Sequence, residues 1–377
     1  MDTITVAPRG LHNVVVADTE IGDVRGDEGF YHYRQYPAVE LARTQTFEDV
    51  WFLFAHGHLP SASERERFTR EVAELRTLPP EIEAALPTIA AIGDRPLVAL
   101  RTALSLIGQT ATPLYDATED EKAEAALRIC AITPTLLAAL HRLSLGLPVV
   151  ASDPSLRTAA NWLYMVTGER PGEAEARAIE QYLIATIDHG FNASTFTARV
   201  VASTGADLVS AVVAAIGAFS GPLHGGAPDR ALDALDEIGS PANAAAWVRR
   251  QVESGDRIMG FGHAVYRTLD PRSELLREIA VGLGGDTVER AVAIENTVVE
   301  TLAELKPGRK LYANVEYYAG VVMDRCGLPR SMFTPTFACS RIVGWSANVV
   351  EQSHDRKIIR PSARYVGPDP EMGVDLS

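Results

Sequence analysis

Three segments of this 377-residue sequence place polar, reactive side chains among glycines and small apolar residues. His224 stands in "GPLHGGAP", His263 in "GFGHAVYRTLDPR", and Glu316 in "LYANVEYYAG", an acid among tyrosines where packing residues are the rule. A lone histidine commonly serves only to pack, but glycine lets backbone approach a ligand closely and leaves backbone donors open. A helix starting just after "LHGGAP" would disfavour protonation of His224 and keep a neutral imidazole as a donor. Arg267 and Arg272 follow His263 by four and nine residues, and His189 stands in "DHGFNASTF". Guanidiniums at that density can hold several carboxylates or phosphates. Together these groups describe one chemistry. A carboxylate takes a proton from the carbon beside a carbonyl, while a histidine donor stabilises the oxygen on which charge develops. The enolate-like carbon then needs an electrophile, whose carbonyl a second histidine polarises and whose acid groups arginines hold. That is a carbon–carbon condensation.

The overall charge narrows the partners. With 35 Lys and Arg against 49 Asp and Glu, the net charge of -14 opposes binding to nucleic acid or to an anionic membrane surface. An anionic substrate therefore requires a local basic exception. Two stand out: "KPGRK" at 306–310, and "HDRKIIRPSAR" at 354–364 with Arg356, Lys357, Arg360 and Arg364; the plain alternative for either is a solvated face. Three cysteines without C-x-x-C spacing argue against a disulfide framework and a zinc site, and predict a reducing, cytoplasmic compartment. His56 and His58 form an H-x-H pair at a predicted helix end where nothing nearby completes a site, so no metal is expected. Neither a G-x-x-x-x-G-K-[ST] phosphate loop nor a dinucleotide-binding turn occurs, and "GAFSG" has the wrong spacing for a nucleophile elbow. The opening "MDTITVAPRG" lacks the pattern of a secretory signal, and the longest apolar run, Leu208 to Phe219, falls short of the roughly 18 residues a membrane span needs.

Helical signals dominate the segments that must carry these groups. "TFEDVWFLFAHGHLP" opens on a Thr46 cap and an acidic first turn, carries an apolar face, and stops at Gly57 with Pro60 beyond. Similar patterning predicts helices over 61–78, 96–108, 119–145, 155–168, 172–188, 206–219, 226–238, 241–254, 272–281, 287–305 and 314–326, with Pro134 kinking or dividing the longest. Only 13–24 and 30–36 read as strands, in a small ribbon near the N-terminus. The expected fold class is all-α with a minor β element. The stretch "ADLVSAVVAAIGAF", apolar around most of its circumference, should be buried in a core or a subunit interface. Loop-like composition at "SGPLHGGAP" and near "GLPRSMFTPTF" marks the edges of a second domain spanning roughly 226–330.

The segments "DHGFNASTFTARVVASTGADLVSAVVAAIGAFSGPLHGGAPDR", "GFGHAVYRTLDPRSELL", "NVEYYAGVVMDRCGLPRSMFTPTFACSRIVGWSANVVEQ" and "IIRPSARYVG" are specific in combination and in order. At these segments the sequence resembles the citrate synthase family, and it looks like the short bacterial or archaeal type. A weaker likeness through "TEIGDVRGDEGFYHYRQYPAVELA" and "TFEDVWFLFAHGHLP" extends the cover to nearly the whole chain. The resemblance implies a two-domain, all-α fold. A large, dimer-forming helical domain would take 1–225 and 331–377, and a small helical domain at 226–330 would close over the cleft. It also implies a homodimer with shared active sites and no cofactor, the CoA thioester being a substrate. Acetyl-CoA and oxaloacetate would condense to citryl-CoA, which is hydrolysed to citrate and CoA. Carried over by position, His224 donates to the thioester carbonyl oxygen, the acid at 316 removes the methyl proton, and His263 polarises the oxaloacetate ketone. His189, Arg272 and Arg341 would bind oxaloacetate, with Arg360 reaching in from the other subunit. Arg267 resembles a CoA phosphate contact, and Arg356, Lys357 and Arg364 would bind CoA or stay solvated.

The chain departs from the family's usual N-V-D with Asn314, Val315 and Glu316. Glutamate keeps the carboxylate at an ordinary pKa about 0.4 units above aspartate's, and adds a methylene that the backbone or the rotamer must absorb. Arg95, Gln35 and Pro228 also stand where the family usually has other residues, and none of the three is an assigned proton-transfer group. Two other readings stay open. One is a 2-methylcitrate synthase using propionyl-CoA, since one methylene is worth only ~1–3 kcal/mol of discrimination. The other is a folded, non-catalytic binding or structural member, motivated by Glu316 and weighed against the presence of every other assigned polar group.

Overall fold

Side-chain caps fix where many of the helices start. Thr46 with Asp49, Ser61 with Glu64, and Thr118 with Glu121 each form a reciprocal capping box, satisfying N–H groups that a helix start leaves open. Asn192, Asp207, Asp270 and Asn314 cap four later helices through their side chains. The structure is a computed structural model that describes residues 5–221, 224, 227–263 and 265–368. Among those residues the helices are α1 Ala38–Thr44, α2 Phe47–His56, α3 Ala62–Leu75, α4 Pro80–Ile92, α5 Pro96–Ile107, α6 Glu119–Ser144, α7 Thr158–Thr167 and α8 Glu173–Thr186. They continue with α9 Ala193–Ala202, α10 Leu208–Phe219, α11 Ala227–Ile238, α12 Pro241–Ser254, α13 Pro271–Leu283, α14 Asp286–Leu305, α15 Val315–Arg325 and α16 Phe333–Ser353. Near the N-terminus β1 Gly22–Arg25, β2 Phe30–Tyr33 and β3 Tyr36–Pro37 form an antiparallel meander, with Gly22 opposite Tyr33 and Arg25 opposite Phe30. The fold is all-α with this small β element.

Several boundaries differ from those the sequence predicts. The first strand is shorter than 13–24 because β2 offers only four residues to pair with; Val14 to Val16 stay exposed ahead of it. α6 runs unbroken through Pro134. By length and composition α6 could also cross a membrane, but 67% of its apolar window is buried inside the protein. Periodicity does not predict α1, α4, α9 or α16. For α16 the reason is physical: sixteen of its twenty-one residues are buried, so no polar face marks a period.

α16 packs on α6, α8, α9 and α10, with Trp345 and Trp162 fully buried and the Trp162 indole donating to the Thr336 hydroxyl at 3.1 Å. α11 to α15 pack largely on one another, α13 against α15 and α12 against α14, and meet the remainder through α1, α8 and α16. α10 buries one side, but Val213, Ala214, Gly217 and Ala218 stay only half-buried on the other. Two glycines then bring the site segments together. A Cβ on Gly344 of α16 would fall 2.2 Å from the Ile187 carbonyl oxygen, so only glycine lets α16 approach the end of α8 this closely. At the β1–β2 turn a Cβ on Gly26 would fall 2.3 Å from the Val265 carbonyl oxygen, and the Arg267 N–H donates to the Gly26 carbonyl at 3.0 Å. A Cβ on Gly190 would in turn meet the Val24 side chain at 3.3 Å, so segments near 26, 188 and 265, remote in sequence, lie side by side.

Candidate active site

β2 anchors the segment near 188. The Tyr31 hydroxyl donates to the Ala185 carbonyl at 3.1 Å and the Tyr33 hydroxyl to the Ile184 carbonyl at 3.0 Å, fixing the turn that carries Asp188 and His189. His189 Nε2 lies 2.9 Å from the Tyr266 hydroxyl, and its ring stands 5.6 Å from that of His263. His263 Nδ1 accepts the backbone N–H groups of Val265 at 2.9 Å and Tyr266 at 3.1 Å. A ring nitrogen that accepts carries no proton, so neutral His263 holds its proton on Nε2. Asp270, the cap of α13, grips Arg272 through Nε–Oδ1 at 3.0 Å and Nη2–Oδ2 at 2.9 Å, leaving Arg272 Nη2 3.2 Å from His263 Nε2. In this tautomer the two nitrogens are donors lying side by side, and an acceptor that takes both N–H groups relieves the contact. Arg341, buried on α16, donates from Nε to the Thr186 carbonyl at 2.9 Å, and its guanidinium lies 4.7 Å from the Phe337 ring centre.

A cavity of about 560 Å³ adjoins this cluster, lined by the 255–262 segment, Lys306 at the end of α14 and the start of α15. His224 and Glu316 both line it. The exposed Arg257 and Arg309 and the half-buried Lys306 place three positive charges on the same walls. His224 Nε2 is 2.8 Å from the Ser194 Oγ, which accepts the Trp345 indole N–H at 3.1 Å, and the Phe219 ring stands edge-on at 5.4 Å. The Ser194 hydroxyl has one proton and two acceptors within reach, the Asn192 side-chain oxygen at 2.8 Å and His224 Nε2; when it points at Nε2, the proton of the neutral ring is on Nδ1. Glu316 sits in the first turn of α15, and its N–H donates to the Asn314 side-chain oxygen at 3.0 Å.

Burial sets the protonation states. It pushes His224 down to about 4 with help from the Arg341 charge, and His263 down to about 4 with help from Arg272. His189 is held well below the usual histidine range by burial, with Arg272, His263 and Arg341 adding to the effect. All three rings are therefore neutral donors or acceptors near pH 7. Burial alone would push the Asp270 carboxyl up, but the paired Arg272 guanidinium holds it below the usual carboxylate range. Burial pushes Glu316 up to about 7, against the opposing pull of Arg272 and with a push from Asp270. A carboxylate of that proton affinity suits a base working near neutral pH.

The structure thus brings His189, His263, Arg272 and Arg341 into one cluster, and His224 and Glu316 into the adjoining cavity. It does not bring Arg360 there: with Arg356, Lys357 and Arg364 it lies exposed on the segment after α16, where the Ile359 N–H donates to the Ser203 hydroxyl at 3.0 Å. Arg267 is exposed beside the Gly26 turn, outside the cavity lining. Gly225 and Gly226, invoked for His224, lie outside the described residues, as do 369–377. The His56 ring lies tilted over Phe52 at 4.1 Å and the His58 ring meets it edge-on at 5.4 Å, and among the described residues no group of three His, Cys, Asp or Glu could hold a metal ion. Sequence reasoning gave no role to Tyr266, Ser194, Asn314 and Asp270; Asp270 and Asn314 left a signal, each a preferred capping residue at a helix start. Lys306 and Arg309 belong to "KPGRK", one of the two basic segments singled out for an anionic substrate, and both line the cavity.

The family model described as "Citrate synthase, C-terminal domain" matches residues 10–362. The citrate synthase of Haloferax volcanii is 39% identical over 368 residues, covering 95% of each chain. The 2-methylcitrate synthase of Shewanella oneidensis is 33% identical, covering 98% of this chain and 97% of its own. Among solved structures, the ternary complex of carboxymethyl coenzyme A and oxaloacetate with citrate synthase from Thermoplasma acidophilum gives a TM-score of 0.89 at 28% identity, with 99% of both chains covered.

Proposed function

The chain belongs to the citrate synthase family, and from that premise we propose that it condenses acetyl-CoA with oxaloacetate and hydrolyses the resulting citryl-CoA to citrate and CoA. As an enzyme of the citrate synthase type it is an acyltransferase. The observation that carries the reading is that Glu316 and His224 line one cavity that adjoins the converging donors of His263 and Arg272. In this reading the ionised Glu316 takes a proton from the acyl methyl while the His224 N–H stabilises the thioester oxygen as charge develops on it. The enolate carbon attacks the ketone carbon of oxaloacetate, whose oxygen accepts from His263 Nε2. Arg272, Arg341 and His189 hold the oxaloacetate carboxylates. Water then cleaves the thioester and releases CoA. Arg257, Lys306 and Arg309 join Arg267 as groups for the CoA phosphates; the cavity charges support the first three, while Arg267 lies outside the lining.

The reading extends to a homodimer in which Arg360 reaches the oxaloacetate site of the partner subunit. The half-buried strip on α10 and the exposed segment after α16 support it. It includes closure of 226–330 over the bound substrates. A cytoplasmic compartment is supported by Cys130, Cys326 and Cys339, all free thiols and all buried. Thiol release at saturating oxaloacetate, with acetyl-CoA against propionyl-CoA, tests the proposal. Acetyl-CoA should react faster; a clear propionyl preference would assign a 2-methylcitrate synthase. A folded sample that binds oxaloacetate but releases thiol from neither would be a binding member of the family.

A further inference from the structure

One side chain ties together the wall between Glu316 and His263. Residues 260–262 run antiparallel to 312–314: the Gly262 N–H donates to the Tyr312 carbonyl at 2.8 Å, the Asn314 N–H donates to the Gly260 carbonyl at 2.9 Å, and Phe261 faces Ala313. Gly260 and Gly262 both have φ of 84°, a conformation costly for any residue with a side chain. Both present their carbonyls to Asn314. The Asn314 side chain then adds two contacts of its own. Its Oδ1 accepts the Glu316 N–H at 3.0 Å, and its Nδ2 donates to the Gly262 carbonyl at 3.0 Å. That carbonyl belongs to the peptide bond leading directly into His263. One amide therefore bonds the backbone of the acid on one side and the peptide carrying the imidazole on the other.

We propose that Asn314 is a positioning residue, whose side-chain amide cross-ties the Glu316 backbone to the Gly262–His263 peptide so that the two groups are set as a unit. The proposal rests on the condensation reading, in which Glu316 and His263 act on two substrates that must meet. A helix cap alone would need only an acceptor, which serine, threonine or aspartate provide equally well. The Nδ2 donor is what reaches the second segment. Positioning of this kind matters because a displacement of about 1 Å at a reacting group can cost roughly 10²-fold in rate.

The test compares the wild type with Asn314→Ser, which keeps a cap but cannot reach Gly262, and with Asn314→Ala, which keeps neither contact. Both should lose kcat by about 10- to 100-fold, while KM for oxaloacetate and for acetyl-CoA stays within about twofold. The acid limb of kcat should also move down from about pH 7, as a loosened Glu316 gains solvent. Amide exchange gives a readout that needs no activity: the Gly262 N–H should exchange at least about tenfold faster in Asn314→Ser. Wild-type kcat and an unmoved limb in Asn314→Ser would overturn the proposal. So would an acetyl-CoA KM that rises at unchanged kcat, which would make Asn314 a substrate contact. If the wild type releases no thiol, the condensation reading fails by itself, and unchanged Gly262 exchange in Asn314→Ser then overturns the cross-tie separately. Asn314→Thr, another capping residue, carries the same comparison should the serine variant not fold.

Discussion

The Nδ1 atom of His263 accepts the Tyr266 backbone N–H at 3.1 Å, which leaves Nε2 as the only nitrogen of the neutral ring able to donate. Glutamine places an amide nitrogen where Nε2 lies, whereas asparagine places one nearer Nδ1. His263→Asn should therefore lose kcat by ~10²–10³, the usual loss for a donor to developing charge, and His263→Gln should recover about tenfold of it. Steady-state kinetics of the two variants make the comparison. Equal or better turnover in the asparagine variant would place the donor on the wrong nitrogen.

The Glu316 carboxyl, pushed up to about 7 chiefly by burial, must be ionised to act as a base, so kcat should rise with pH to a plateau with its midpoint near 7. Stability has the opposite sign. Between the ordinary value of 4.5 and about 7 the folded state binds more protons at this group than the unfolded state, so stability falls as pH rises through that window. Thermal unfolding of the wild type and of Glu316→Gln at pH 5 and pH 8 should show the variant gaining relative to the wild type at the higher pH.

Glu316→Asp withdraws the carboxylate by about one carbon–carbon bond, ~1.5 Å. Because the Asn314 cap fixes the backbone of residue 316, the helix start is set for the longer side chain. Turnover should fall by about 10- to 100-fold, with substrate binding retained. A faster reaction would mean that the wild-type base overreaches its proton.

Lys306 and Arg309 line the cavity and Arg267 does not. Replacing both Lys306 and Arg309 by alanine should raise KM for acetyl-CoA about three- to tenfold at nearly unchanged kcat, the size expected of exposed charge contacts. Added salt should narrow the difference. Arg267→Ala, measured alongside, reports the weight of the exposed loop arginine.

How much of this was legible in the sequence depended on local signals. α2 announced itself through the Thr46 cap, its acidic first turn and Gly57, all of which act within a few residues. His224 and His263 stood out because glycines flank them, and Glu316 because an acid amid tyrosines is costly to bury without a purpose. α16 was invisible for the opposite reason: burial on nearly every side erases the polar face that would give it a period, so Arg341 was reached through family resemblance alone. The tyrosines of β2 read as strand formers, and nothing local shows that their hydroxyls brace the His189 turn, more than 150 residues away. The basic "KPGRK" segment was readable as charge, but its place on the cavity wall depends on how α14 and α15 pack.

The central claim is that Glu316 is the base of a condensation. Turnover of Glu316→Gln at saturating acetyl-CoA and oxaloacetate, with oxaloacetate binding followed by calorimetry, tests it most directly. The account predicts a loss of ~10²–10⁴ in kcat with oxaloacetate affinity unchanged; turnover close to that of the wild type would contradict it and remove Glu316 from the mechanism.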